Sequence, residues 1–497
     1  MDAHVPQRAG LGELSLNAPH GPDDDAQSPQ IARHRRLLLW VVAIGFFMQT
    51  LDTTIVNTAL PAMAASLFES PLRMQSVVIA YSLTMATLIP ASGWLADRYG
   101  TRPIFIGAIA TFTLGSACCA AAPNLPLLVA ARVLQGMGGA MLLPVGRLIV
   151  LRAFPRDEFL PAMSLVTIPG LIGPLIGPTL GGWLVEIASW HWIFLINLPV
   201  GVLGCIATLT YLRSSRPEQR RPFDVGGYGL LAISMVTLSL ALDGLSDLGL
   251  RQATVLVLLM FGLATLAAYW LHAARRPDPL FPLALFRINS FSVGLIGNLF
   301  ARIGSASMPF LLPLLLQVCY GFSPFKAGLM MIPSAAAGIL AKRLGTGLIQ
   351  RNGYRKVLVV NTLLTGAIIA SFALLPEQPP LAWLLVQVSF FGLVNSMQFT
   401  AMNTVTLKDL NIENSSSGNS LLSMVMMLAM GMGVATAGAF LAGFENLYGT
   451  DLKRPLAAFH STFVGIGILT CASAWVFWQL KHDEPQTGHP KHEAPEL

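Results

Sequence analysis

Asp52 and Arg132 are the side chains whose type and placement carry the most chemistry. Asp52 lies in the run Leu51-Asp52-Thr53-Thr54-Ile55-Val56-Asn57-Thr58-Ala59-Leu60-Pro61, inside an apolar segment that begins at Leu37 after Arg35-Arg36. A carboxylate that deep in a bilayer costs about 3 kcal/mol on insertion scales. It is tolerated where it faces water, finds a partner or takes up a proton. Arg132 opens Arg132-Val133-Leu134-Gln135-Gly136-Met137-Gly138-Gly139-Ala140 in another apolar segment. It lies about six residues, roughly 9 Å, below the outer start of its segment, a depth comparable to that of Asp52. An interaction between the two, direct or through water or Gln135, follows from the depths. Burial favours a neutral carboxyl and a guanidinium favours an ionised one. A group held between those pulls can change protonation when its access changes sides, so Asp52, Arg132 and Gln135 form a candidate proton-handling group. The competing reading is a static structural ion pair.

Elements that position such a group must cross a membrane. The chain is 54% hydrophobic and 11% charged, against about 25% charged in a soluble domain. The net charge of +6 suggests nucleic acid only until the charges are located, and they sit in short loops between apolar runs. Fourteen runs can each span, near 37–63, 74–95, 103–122, 126–150, 159–186, 193–213, 225–245, 252–273, 291–317, 326–349, 356–376, 381–403, 417–443 and 459–480. Of the 31 Lys and Arg, 21 fall in one set of alternating loops and 5 in the other, which places both termini in the cytoplasm. The five cysteines lie in or beside apolar runs without metal-ligand spacing. No Walker A run, HExxH helix or GxSxG elbow appears, so neither ATP drive nor an enzyme is expected.

The chain repeats itself. Ser70-Pro71-Leu72-Arg73 recurs as Ser323-Pro324-Phe325-Lys326, and at the same offset of 253 Leu95, Arg98, Gly100 and Arg102 match Leu348, Arg351, Gly353 and Arg355. Eight spans separate the copies where a duplicated six-helix bundle requires six. The expected organisation is therefore a tail (1–36), a six-helix bundle (37–213), a linker (214–224), two inserted helices (225–273), a second six-helix bundle (274–480) and a second tail (481–497). Both tails are polar, and the first is expected to be disordered. Parallel repeats of this kind place a substrate path between the halves.

Three further sites stand out. Gly93-Trp94-Leu95-Ala96-Asp97-Arg98-Tyr99-Gly100-Thr101-Arg102 joins spans 2 and 3. Glycine there allows a tight reversal, and Asp97 bonded to Arg98 or Arg102 makes a latch between helix ends. The second copy has Gln350 in place of Asp97. In span 5, Gly173, Gly177 and Gly181, with Gly182 beside them, present a bare face for close packing, and Pro174 and Pro178 bend the helix. The substrate cavity candidates are Asn57, Arg302 near the midplane, and Met424 and Met427 from the methionine-rich stretch of span 13. Lys342 and Arg343 lie in the inner third of span 10 and either snorkel or line the cavity.

These motifs together resemble the major facilitator superfamily. The Gly93–Arg102 loop resembles its signature A, Arg132–Ala140 its signature B, and Gly170–Gly182 its antiporter signature C. The Leu51–Pro61 run, Phe223-Asp224-Val225-Gly226, Trp192–Gly201 and the fourteen spans resemble the drug:H⁺ antiporter-2 branch. The likeness covers about residues 35–480. Two positions depart from it: His191 stands where an Arg is usual, and Ser76 where a Trp is frequent. The resemblance implies an all-α fold of two six-helix bundles plus two inserted helices. It implies proton-coupled export of small molecules, of the multidrug type, from a bacterial inner membrane by alternating access. On family grounds Asp52 and Arg132 match the proton-coupling positions, and Asp97 and Arg98 the latch. The expected partners are a small-molecule substrate, protons and the bilayer, with no cofactor, metal or nucleic acid, in a monomer. The excess of Arg132, Arg147, Arg302, Lys342 and Arg343 over Asp52 inside the spans adds a second expectation, export of anionic metabolites or metal–organic acid chelates. A transport-inactive sensor is the third.

Overall fold

The computed structural model describes residues 22–154, 156–212, 223–246, 252–448 and 454–481, and in a few helical stretches, 342–346 among them, only the backbone. Helix α1 runs from Pro22 to Ser66. It therefore starts well before residue 37, within the stretch expected to be a disordered tail. In the sequence, Pro22 followed by Asp23, Asp24 and Asp25 is a pattern that favours a helix start. The remainder of that tail, most of the linker and all but Lys481 of the second tail lie outside the described residues.

The helices that follow are α2 (Gln75–Tyr99), α3 (Thr101–Ala120), α4 (Leu125–Ala153), α5 (Arg156–Ile187), α6 (Trp192–Leu195), α7 (Asn197–Tyr211), α8 (Val225–Ser246) and α9 (Gln252–Arg275). Then come α10 (Asn289–Val318), α11 (Pro324–Leu329), α12 (Ile332–Ser371), α13 (Leu381–Leu407), α14 (Ile412–Tyr448) and α15 (Arg454–Trp478). Among the described residues, 13 helical stretches are long and apolar enough to cross a membrane, and the 32-residue α5 holds a shorter apolar stretch, Ile172–Ile187. With α5 the order is the fourteen crossings expected. Crossings run alternately between a terminal face, where α1 enters and α15 ends, and a distal face.

Gly100 has φ +92° between α2 and α3, and its repeat partner Gly353 has φ +74° inside α12. A side chain resists that backbone region, so each copy turns on its glycine. At Gly353 the break divides α12 between two crossings, Pro324–Ala341 continuing toward the break and Gly347–Leu374 leaving it. Gly93 does not reverse the chain; it lies inside α2, where a Cβ would meet nothing.

The apolar core is one cluster at the distal face and splits toward the terminal face, where a side cluster around α8, α9, α10 and α14 still takes in Ala86 of α2. One cluster joins Leu51–Ala64 of α1, Leu128 of α4 and Phe194 of α6 to Met308–Leu316 of α10, Phe372 after α12 and Leu441 of α14. Toward the terminal face the early helices form their own cluster around Val42, Phe105 and Val145. The late helices form another around Leu358, Met402 and Phe477.

The pair α8–α9 is held to itself by Ser234, whose hydroxyl donates to the Gly262 carbonyl at 2.8 Å. It packs on α14 and α2. Its terminal end is fastened by Asp224, whose side chain is 2% exposed. Gly227 N–H (3.0 Å), His272 Nε2 (2.8 Å) and Leu280 N–H (3.2 Å) bond its carboxylate, and Arg276 lies at 3.4 Å. Burial pushes this carboxyl up, but the bonds from Gly227, His272 and Leu280 outweigh it and hold it below the usual carboxylate range. A lowered folded-state pKa stabilises above the ordinary carboxyl pKa, and that stability disappears as pH falls through the folded-state value. Asp224→Asn is therefore expected to speed hydrogen exchange at the ends of α8 and α9 at pH 7. Acidification below the carboxylate range should lower the protection factors of the same amides, relative to their intrinsic exchange at that pH, in the unaltered protein.

Candidate functional site

Asp52 is wholly buried on α1, and Arg132 of α4 is 1% exposed. Arg132 Nη1 donates to Asp52 Oδ2 at 2.7 Å, and Gln135 Nε2 donates to Asp52 Oδ1 at 2.7 Å. Both carboxylate oxygens thus accept a hydrogen bond, one of them from a guanidinium. Arg132 and Gln135 are three residues apart on one helix, hence on one face. Arg132 Nη1 also donates to Gln135 Oε1 at 2.6 Å, and its Nε to the Val77 carbonyl at 3.2 Å. The guanidinium lies 4.1 Å from the Tyr81 ring centre, a cation–π contact inside the protein.

The network extends further than the motif. Gln135 Nε2 donates to Ser116 Oγ at 2.8 Å, and Asn197 Nδ2 donates to the same oxygen at 3.3 Å. Ser116 reaches Gln135 because Gly115 precedes it: a Cβ at Gly115 would sit 2.5 Å from the Gln135 Cα. Five crossings, those of α1, α2, α3, α4 and α7, therefore meet around one carboxylate. Ser116 and Tyr81 fall outside the motifs of the sequence, and Asn197 lies in the Trp192–Gly201 run without a role read for it; only the Gly115-Ser116 pair hints at a close helix approach.

The glycine- and proline-rich stretch of α5 packs on α1 beside this group. A Cβ at Gly173 would meet Thr50 Oγ1 at 2.5 Å, one at Gly177 would strike Thr54, and one at Gly181 would lie 2.5 Å from the Ile55 carbonyl oxygen. Thr58 donates to the Pro178 carbonyl at 3.1 Å. Gly182 faces the other way, with Pro324 and Phe325 where its Cβ would be. The bare face thus serves α1, and its edge serves α11.

The Asp97 partner is neither Arg98 nor Arg102. Arg152, at the end of α4, donates to Asp97 Oδ1 at 2.6 Å. Arg98 lies over the Trp94 and Tyr99 rings at 5.1 and 5.7 Å, and Arg102 donates to the Leu209 carbonyl at 2.6 Å. Residues adjacent along α2 point apart, whereas α2·α4 packing brings Arg152 across. The pair is 36% and 54% exposed, so its static contribution is at most about 1 kcal/mol.

Arg302 is partly buried on α10. Its Nη2 donates to Asn298 Oδ1 at 3.0 Å, its guanidinium carbon is 4.6 Å from the Phe399 ring centre, and its buried Nε has no hydrogen-bond partner. Among the described residues no carboxylate pairs with it. Met427 is partly buried where the early-helix cluster meets the one around α8, α9 and α14. Met424 is buried within the latter cluster and Asn57 is 7% exposed, so both are packed in this state. The Lys342 and Arg343 side chains lie outside the described residues.

Residues 42–434 match the model of the Major Facilitator Superfamily, and the chain belongs to that family. It is a multi-pass membrane transporter, and its role is transport rather than catalysis. The chain is 51% identical over 449 residues to "Putative multidrug resistance protein MdtD" of Yersinia enterocolitica, covering 90% of this chain and 96% of that one. It is 53% identical over 461 residues to the protein of the same name from Serratia proteamaculans, with the same coverage. Among solved structures, a POT family transporter crystallised with a thioalcohol-conjugated peptide matches with a TM-score of 0.66 at 16% identity, covering 89% of this chain and 95% of that one. That likeness concerns the fold alone.

Proposed function

We propose that the protein is a proton-coupled antiporter that exports small molecules across a bacterial inner membrane by alternating access, between two six-helix halves at 37–213 and 274–480. The terminal face is then cytoplasmic, and the shape described, joined at the distal face and divided at the terminal one, is inward-facing. The observation that carries this reading is the buried carboxylate of Asp52, with Arg132 and Gln135 each bonded to one of its oxygens. In an outward-facing state water reaches Asp52 and supplies a proton. Protonation removes the negative partner of Arg132 and releases the group for the return, and substrate from the cytoplasm displaces the proton. Shifting a two-state ratio from 1:99 to 99:1 takes about 5.5 kcal/mol. An inward proton contributes about 2.3 kcal/mol per 100 mV, so two protons per cycle supply that much at about 120 mV and one at about 240 mV. The multidrug resistance names of the relatives support a small-molecule cargo.

The test uses proteoliposomes with an internal pH dye and a panel of cationic, neutral and anionic compounds. Cargo-driven proton movement is expected for the wild type and its loss for Asp52→Asn. Equal responses from both make Asp52 structural and move the coupling elsewhere.

One observation favours an anionic cargo as a second reading. Arg302 keeps an unpartnered buried Nε and no acidic partner among the described residues, and an uncompensated cation attracts anions. Arg302→Ala is then expected to abolish export of an anion and spare a neutral compound. Equal loss of both would assign Arg302 to the scaffold.

A further inference from the structure

We infer that a cavity beside the α12 break holds the phosphate-bearing headgroup of an anionic phospholipid at the terminal face. The cavity has a volume of about 360 Å³ and is lined by Gly353, Arg355, Lys356, Val359, Val360 and Trp478. It lies where two membrane-crossing stretches, Gly347–Leu374 and Pro455–Trp478, reach the terminal face together. One wall is apolar and open to the surroundings, with Val360 49% and Trp478 59% exposed. An exposed Trp at the end of a crossing marks headgroup level.

The rim of the cavity is cationic. The Arg355 guanidinium carbon sits 5.0 Å from the Trp478 ring centre, which fixes that charge above the apolar wall. Lys356 is exposed and has no hydrogen bond or ion pair among the described residues. Asn352 does not fill the space, because its amide turns back to the Leu348 carbonyl at 3.3 Å. An apolar wall that continues into the bilayer under a cationic rim fits an amphiphile with an anionic head. Free phosphate would engage the rim alone.

Comparison of the two sequence copies sharpens the assignment. In the first copy Asp97 answers Arg152, and Arg102 is committed to the Leu209 carbonyl. In the second, Gln350 stands at the Asp97 position and Lys356 at that of Pro103. The loop has therefore lost its acid and gained a cation beside a cavity. The site also spans the break at Gly353, so a bound headgroup ties that turn to the leaflet.

Native mass spectrometry of the purified full chain with phosphatidylglycerol and phosphatidylethanolamine of matched acyl chains tests the proposal. Each basic residue near an anionic headgroup contributes roughly 5-fold in affinity. One phosphatidylglycerol should be retained at least about 10-fold more tightly than phosphatidylethanolamine. The combination Arg355→Gln with Lys356→Gln should abolish that preference, and Lys356→Arg should keep it. Equal retention of both lipids, or a preference unchanged in the double variant, overturns the assignment. So does displacement of the lipid by inorganic phosphate at equal concentration. Lipid brominated near its head should quench less fluorescence in Trp478→Phe than in the wild type, and equal quenching counts against the site. None of these readouts depends on transport activity.

Discussion

Replacing Arg132 by alanine is expected to destabilise the protein by about 3–5 kcal/mol, because it leaves a buried carboxylate without its charge partner. Asp52 is 0% exposed and cannot turn to water. Alanine removes the donors to Asp52, Gln135 and the Val77 carbonyl together, and it empties the space above the Tyr81 ring. The Asp52→Asn change keeps the shape of the group and an oxygen for Arg132 to donate to, and it leaves the buried guanidinium without its counter-charge. The informative comparison is the combination of Asp52→Asn with Arg132→Met, which removes both charges and refills most of the volume. That variant should melt above Arg132→Ala, since replacing a buried pair by apolar groups is often close to neutral while breaking one is not. Thermal unfolding of the purified proteins in one detergent measures this. Melting of Arg132→Ala at the wild-type temperature would mean that the ion pair contributes little to the fold. Adding the single variant Arg132→Met closes a cycle with Asp52→Asn and the double variant, and its deviation from additivity measures the coupling of the two residues.

That pair could be read from the sequence because a charge in an apolar run is costly wherever it lies, so two such charges at matched depth point to each other. Gln135 followed from its spacing of three from Arg132. The crossings were equally legible, since twenty apolar residues leave little choice in a bilayer. The sequence did not disclose contacts that depend on how helices cross. Arg98 and Arg102 are near Asp97 along the chain, yet Arg152 reaches it across α2·α4 packing. Ser116 and Asn197 are ordinary polar residues until Gly115 lets α3 approach α4. Met424 and Met427 look equivalent in the methionine-rich stretch, but one faces the packed cluster around α8 and α9 while the other sits at the junction of two clusters. Helical phase, rather than composition, separates them. The pair α8–α9 was visible as a discrepancy in the repeat count, and its fastening through Asp224 lay unannounced in the Phe223–Gly226 run.

Gly328→Val is expected to open the distal face. Gly328 of α11 lies against α5, so an added Cβ would run into the Pro178 carbonyl and lie 2.8 Å from the Thr179 Cα. Thr179 donates to the Gly328 carbonyl at 3.1 Å across the same contact, and Gln317 of α10 donates to the Thr58 carbonyl at 3.0 Å nearby. This seam joins the early and late helices where their shared cluster is continuous. Overpacking a close contact costs typically 1–3 kcal/mol. On the alternating-access reading proposed above, the clash exists only while the distal face is closed, so nearly all of it acts on the balance between states. A difference of that size changes a two-state ratio by roughly 5- to 150-fold. Spin labels at the exposed distal positions Leu127 and Leu374, 53% and 71% exposed, should report a longer distance in Gly328→Val than in the unaltered seam. Gly443→Val is the matched control, because a Cβ there meets nothing within 4 Å. It should leave the distance unchanged. Identical distance distributions for Gly328→Val and Gly443→Val would show that the seam yields without parting. The distal closure would then rest on the apolar cluster beneath it.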